Sequence, residues 1–194
     1  MREIALHLLD IAENSVAAGA RHIAIEVTEN LAGDRLTASV LDDGKGMDAE
    51  TVKLVVDPFV TSRTTRAIGL GIPLFKEAAE ACDGSLRIQS TPGKGTRLEV
   101  DFQRSHIDRM PLGDLAGTFL TLVVAYPEVH WIFSYKTILA DGTPGKEYEF
   151  DDQPIKEELV GIPLCEPDVL AFLRGALEEG VNEVQEYYQE KETI

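Results

Sequence analysis

Four short blocks stand in a fixed order within the first hundred residues, and each limits the backbone around it. They are Asp10-Ile11-Ala12-Glu13-Asn14-Ser15, Asp42-Asp43-Gly44-Lys45-Gly46-Met47, Asp57-Pro58-Phe59-Val60-Thr61-Ser62-Arg63 and Gly69-Leu70-Gly71-Ile72; Pro92-Gly93-Lys94-Gly95-Thr96 closes the series. Any one alone is weak, since a lone D-x-G-x-G is often a turn. Together they demand a helix carrying a carboxylate and an amide, then a strand that ends in an acid and a tight turn. A second helix must open directly on glycines.

The patterns around the blocks supply those elements. Ile4, Leu8, Ile11, Ala12 and Ser15 recur at helical spacing, and Gly19 stops the helix. His22 to Glu29 and Leu36 to Leu41 alternate apolar with polar residues, which predicts two strands. A short helix follows from Asp48, then a loop over 57–69. Leu70 to Cys82 is predicted as a long helix, and Ser85 to Ser90 and Thr96 to Phe102 as a hairpin. Helices over one face of a mixed or antiparallel sheet follow.

The pattern changes near Ser105. A helix is predicted over Leu115 to Ala125, strands over His130 to Leu139 and Lys146 to Phe150, and an acidic amphipathic helix from Pro167 to Tyr188. This divides the chain into an N-terminal domain, 1–104, and a helix–hairpin–helix appendage of unknown function, 105–194. Charge divides the same way: the net −16 splits into −4 before residue 105 and −12 after it. Nucleic-acid binding needs a basic surface, so that class is disfavoured. The acidic half suits solubility or a partner with a basic surface.

Two distant cysteines, Cys82 and Cys165, support neither a zinc site nor a redox pair. A charged-then-apolar leader is not expected ahead of the first helix. The longest apolar stretch, Leu115 to Tyr126, falls short of the ~20 residues that cross a bilayer. The expectation is a cytoplasmic protein without a membrane segment.

Each block suggests a chemistry. Asp10 and Asn14 lie four apart on one helix and share a face, which His7 joins. A carboxylate beside an amide oxygen suits Mg²⁺, a hard cation that keeps most of its waters. Asn14 is the expected metal ligand, and Asp10 the group that orients a water. Asp42, at a strand end before Gly44 and Gly46, can accept from an adenine amino group; guanine offers an acceptor there. Glycines at 69 and 71 before a helix leave N–H groups free for phosphate. Arg63 and Arg66, in the preceding loop, could neutralise the terminal phosphate.

At this point the chain resembles the GHKL superfamily of gyrase, the ninety-kilodalton heat-shock chaperone, histidine kinases and MutL. "DIAENSVAAGA" is similar to the MutL-type N box, "LDDGKGM" to the adenine box and "DPFVTSR" to the F box. The run from Gly69 to Phe102 resembles the end of a histidine kinase catalytic domain, and the match covers roughly residues 3–103. The resemblance implies an α+β fold, the two-layer Bergerat α/β sandwich, with ATP and Mg²⁺ as cofactors. It implies that Asn14 takes Mg²⁺ and that Asp42 reads adenine. Gly44, Gly46 and Met47 would line the base pocket, Thr96 would sit beside the base, and Gly69, Leu70 and Gly71 would contact phosphates. Thr61 and Arg63 belong to the same binding set.

ATP-hydrolysing members carry Glu where Asp10 stands. The side chain here is one methylene shorter, which implies weak turnover. The expected role is an ATP-dependent action on a protein partner, as a histidine-kinase-like or anti-sigma-type kinase. A slow ATPase and a non-catalytic ATP-gated signalling switch are the alternatives, and a homodimer is possible.

Overall fold

The computed structural model describes residues 3–56, 71–159 and 161–192 of the 194. Helix α1 (Ile4–Ala17) buries Ile4, Leu8, Ile11, Ala12 and Ser15, the predicted stripe. Gly19 ends it with φ +81°, and the Ala20 amide donates to the Ser15 carbonyl at 3.1 Å. This closure needs a left-handed residue, which glycine supplies at least cost.

Strands β1 (His22–Asn30) and β2 (Arg35–Asp42) form an antiparallel pair in which Ile23 faces Asp42. Helix α2 (Ala49–Val55) starts at Asp48, whose side chain accepts from the Thr51 amide. Helix α3 (Gly71–Glu80) follows, then β3 (Ser85–Thr91) and β4 (Gly95–Gln103). Beyond them lie α4 (Leu115–Ala125), β5 (His130–Ile138), β6 (Pro144–Asp151), α5 (Gln153–Glu158) and α6 (Pro167–Glu192).

One six-stranded sheet runs in the order β3-β4-β2-β1-β5-β6. It crosses the 104/105 position without interruption, because β5 pairs parallel with β1, Ile23 opposite Trp131 and Val27 opposite Tyr135. All other pairings are antiparallel. A single buried cluster joins both parts of the chain: Leu8, Ile25 and Phe102 share it with Phe119, Trp131 and Leu177. The helix–hairpin–helix pattern of the C-terminal part is present, and its hairpin extends the N-terminal sheet. Among the described residues, no helix is long and apolar enough to cross a membrane.

Candidate functional site

Asp42 is the last residue of β2, only 7% exposed. Strand alternation turns it, with Leu36, Ala38 and Val40, toward α1. Its carboxylate accepts three hydrogen bonds: from Ser15 Oγ at 2.7 Å, from the Gly44 amide at 2.9 Å and from the Thr96 amide at 3.2 Å. A carboxylate offers about four lone-pair directions. Among the described residues Oδ1 has two donors and Oδ2 has one, which leaves Oδ2 a direction for one more.

The turn after Asp42 is pinned on both sides. The Lys45 amide donates to Ala18 of the α1 end, and the Gly93 amide donates to the Lys45 carbonyl. The Met47 amide donates to Ser90 Oγ at 2.7 Å, and Ser90 Oγ lies 2.9 Å from Thr96 Oγ1. Gly46 has φ +63°, and a Cβ there would sit 2.0 Å from the Thr91 carbonyl oxygen. No other residue fits that crossing of turn and hairpin. Asp42, Gly44, Gly46, Met47 and Thr96 are thereby brought together.

Asp10 and Asn14 lie one turn apart on α1, Asn14 exposed and Asp10 half-buried. Asp10 Oδ2 presses against the first residue of α3: a Cβ on Gly71 would come within 1.6 Å of it. The same oxygen is buried and has no hydrogen-bond partner among the described residues, and neither has His7 Nδ1. His7 is 2% exposed and stacks on Phe75, ring centroids 4.4 Å apart and 6° from parallel. Burial lowers its pKa to about 4, so the ring is neutral at neutral pH; a hydrogen bond to the Gly71 backbone opposes the shift. Asp10, His7 and Gly71 thus meet at the opening of α3. Of the remaining expected residues, Thr61, Arg63, Gly69 and Leu70 lie outside the described residues, as does Arg66.

Sequence reasoning passed over Ser15 and Ser90, the hydroxyls that hold Asp42 and the turn. Ser15 had a readable signal, a polar residue on the buried stripe of α1. Ser90 had none, because its role depends on the hairpin meeting the turn. A cleft of about 620 Å³ between α2 and the β3–β4 hairpin includes Leu41, Val52, Lys53, Lys94 and Thr96 in its lining. Of the expected site residues only Thr96 lines it, and it holds no carboxylate among the described residues. The candidate site is therefore centred on the buried acid and not on this cleft.

Residues 1–106 match the family described as histidine kinase-, DNA gyrase B- and HSP90-like ATPase. A putative sensor protein of Shewanella frigidimarina is 29% identical over 109 residues, 56% of this chain and 16% of that protein. The non-motile and phage-resistance protein of Caulobacter vibrioides is 32% identical over 111 residues, 53% of this chain and 13% of its own length. The sensor histidine kinase ZraS of Escherichia coli O157:H7 is 31% identical over 93 residues, 48% and 20% of the two chains. The chain spans a fifth or less of the length of these relatives. Among solved structures, the Aquifex aeolicus MutL ATPase domain complexed with ADP is 14% identical. The alignment covers 84% of this chain and 70% of that one, with a TM-score of 0.49. The catalytic domain of histidine kinase ThkA is 19% identical, covering 54% and 68%, with a TM-score of 0.42.

Proposed function

Because the chain belongs to the family of histidine kinase-, DNA gyrase B- and HSP90-like ATPases, we propose that it binds Mg·ATP and acts on a protein partner. Its fold is the α+β Bergerat sandwich of that family. The observation that carries the nucleotide reading is Asp42: a buried carboxylate with three donors and one free acceptor direction. Three fixed donors hold it in one orientation, so an amino group of adenine meets a preset acceptor. A guanine carbonyl in that place would set acceptor against acceptor.

Mg²⁺ fits the donors on α1. Asn14 offers an exposed amide oxygen, and Asp10 Oδ2 is a buried oxygen with no hydrogen-bond partner among the described residues. Asn14 would hold the ion and Asp10 would orient a water beside it; the ion would neutralise phosphate charge. Gly71 would bring the opening of α3 to the phosphates. Thr61, Arg63, Gly69 and Leu70 complete the proposed binding set, with Met47 and Thr96 at the base.

The partner-directed activity is that of a protein kinase of the histidine-kinase-like or anti-sigma type. A slow ATPase is the second reading, favoured by Asp10 Oδ2, which has no hydrogen-bond partner among the described residues. Calorimetric titration with ATP and GTP, each with and without Mg²⁺, tests the binding: ATP is expected to bind far more tightly than GTP. Equal affinities would remove the adenine reading of Asp42. Incubation with γ-labelled Mg·ATP then separates free phosphate, labelled partner and neither.

A further inference from the structure

Beside the nucleotide turn, at the same end of the sheet, lie two histidines that the proposed function does not use. His22 opens β1 and His130 opens β5, directly opposite in the parallel register. His22 Nδ1 lies 2.7 Å from Asp43 Oδ2, and His130 Nε2 lies 2.8 Å from Asp151 Oδ1. The two rings meet edge to face, centroids 5.4 Å apart at 75°.

Each carboxylate accepts from one ring nitrogen, which leaves the lone pair of the neutral ring on the other: Nε2 of His22 and Nδ1 of His130. Asp43 is well built for this role. Besides the His22 ring it accepts from the Arg21 and His22 amides at 2.7 and 2.9 Å, which fix its orientation. Asp151 is fixed in the same way by the Gln153 amide at 2.8 Å. A histidine whose second nitrogen donates to a carboxylate is the usual form of a metal-ligating histidine.

The spacing agrees. With Zn–N bonds of about 2.0–2.1 Å and a tetrahedral angle, two imidazoles on one ion hold their centroids about 5 Å apart. We propose that His22 and His130 form a binding site for a divalent transition ion of the Zn²⁺ class. Asp43 and Asp151 orient the rings, and water fills the remaining positions. Imidazole nitrogen selects Zn²⁺, Ni²⁺ or Cu²⁺ over Mg²⁺, so the site is chemically distinct from the oxygen donors of Asn14 and Asp10. Asp152 stands near His130 and Asp151, with ligand atoms of the three within 4.8 Å. It is not a ligand in this proposal: it accepts from the Trp131 amide and pairs with the Lys156 ammonium at 2.6 Å.

The test is titration of the full chain with ZnCl₂ by calorimetry, in nucleotide-free buffer containing excess Mg²⁺. One ion per chain is expected, and His22→Ala and His130→Ala each weaken it at least tenfold. Asp151→Asn, which keeps His130 but loses its carboxylate partner, weakens it by about tenfold to a hundredfold. Zn²⁺ should also raise the Tm of the wild type and not that of His22→Ala, since binding to the native state alone adds stability. His22 is mostly exposed, so its removal leaves the fold, checked by circular dichroism, in place. Absence of Zn²⁺ binding by the wild type, or equal binding by His22→Ala, overturns the proposal. In the second case the ion sits elsewhere on this acidic chain.

Discussion

At the scale of single residues, Asp42 concentrates the most chemistry. In Asp42→Asn the amide oxygen can still accept from Gly44 and Thr96, and the Ser15 hydroxyl can reverse to accept from the new NH₂. The fold should survive, while the free direction toward adenine becomes a donor. A charge-assisted hydrogen bond is worth roughly 1.5–3 kcal/mol, so calorimetry should show ATP affinity reduced by about tenfold to a hundredfold. Asn14→Ala is expected to remove the Mg²⁺-dependent part of ATP binding and leave metal-free binding nearly unchanged. Identical Mg²⁺ dependence in both proteins would return Asn14 to the solvent face. His7 gives a pH signature. Its folded pKa of about 4 lies below the ordinary 6.5. Between those values the unfolded chain binds a proton that the native one does not, so stability is full above pH 6.5 and falls toward pH 4. The loss is on the order of 1–3 kcal/mol. His7→Phe keeps the stack on Phe75 and should flatten the urea midpoint between pH 6.5 and 5.

At the scale of elements, the opening of α3 and the β1–β5 pairing decide how the parts meet. Gly71 shows the competition clearly. Alanine is the better helix former by up to about 1 kcal/mol, yet its Cβ would overlap Asp10 Oδ2 at 1.6 Å. The carboxylate must turn away from the α3 opening. Gly71→Ala should therefore fold but bind Mg·ATP at least about tenfold more weakly, because either Asp10 or the helix opening has moved. Unchanged affinity by calorimetry would show that the α3 opening does not approach the phosphates. Elsewhere the elements follow local rules. Asp48 and Asp114 cap α2 and α4 through the Thr51 and Gly117 amides. Asp83, at φ +51°, ends α3 in the left-handed conformation.

At the scale of the whole molecule, the acidic C-terminal half is bound into the sheet. Removing residues 105–194 would expose the β1 edge, with its full row of unpaired backbone groups. It would also uncover the buried neighbours of Phe119, Trp131 and Leu177. We expect the fragment 1–104 to be poorly folded or aggregated, and the full chain to unfold in one transition seen alike by fluorescence and circular dichroism. A monomeric fragment with a cooperative melt would establish residues 1–104 as a domain that stands alone.

The sequence by itself determined the local facts: helical spacing on α1, alternation on β1 and β2, the short helix from Asp48, and glycines where the turn must bend. The candidate site residues were legible too, because Asp10 and Asn14 share a helix face and Asp42 ends a strand before a glycine turn. Local pattern cannot encode which distant strand lies beside which. The parallel partner of β1 is more than a hundred residues away, and nothing in the alternation of His130 to Ile138 says which edge it joins. For the same reason the supports of the site went unread. Ser15 reaches Asp42, Ser90 reaches Met47, and Asp10 meets Gly71 only after helix, turn and hairpin have packed together. Side chains that act alone leave a mark in sequence; contacts between elements are settled by burial, which only the folded chain completes.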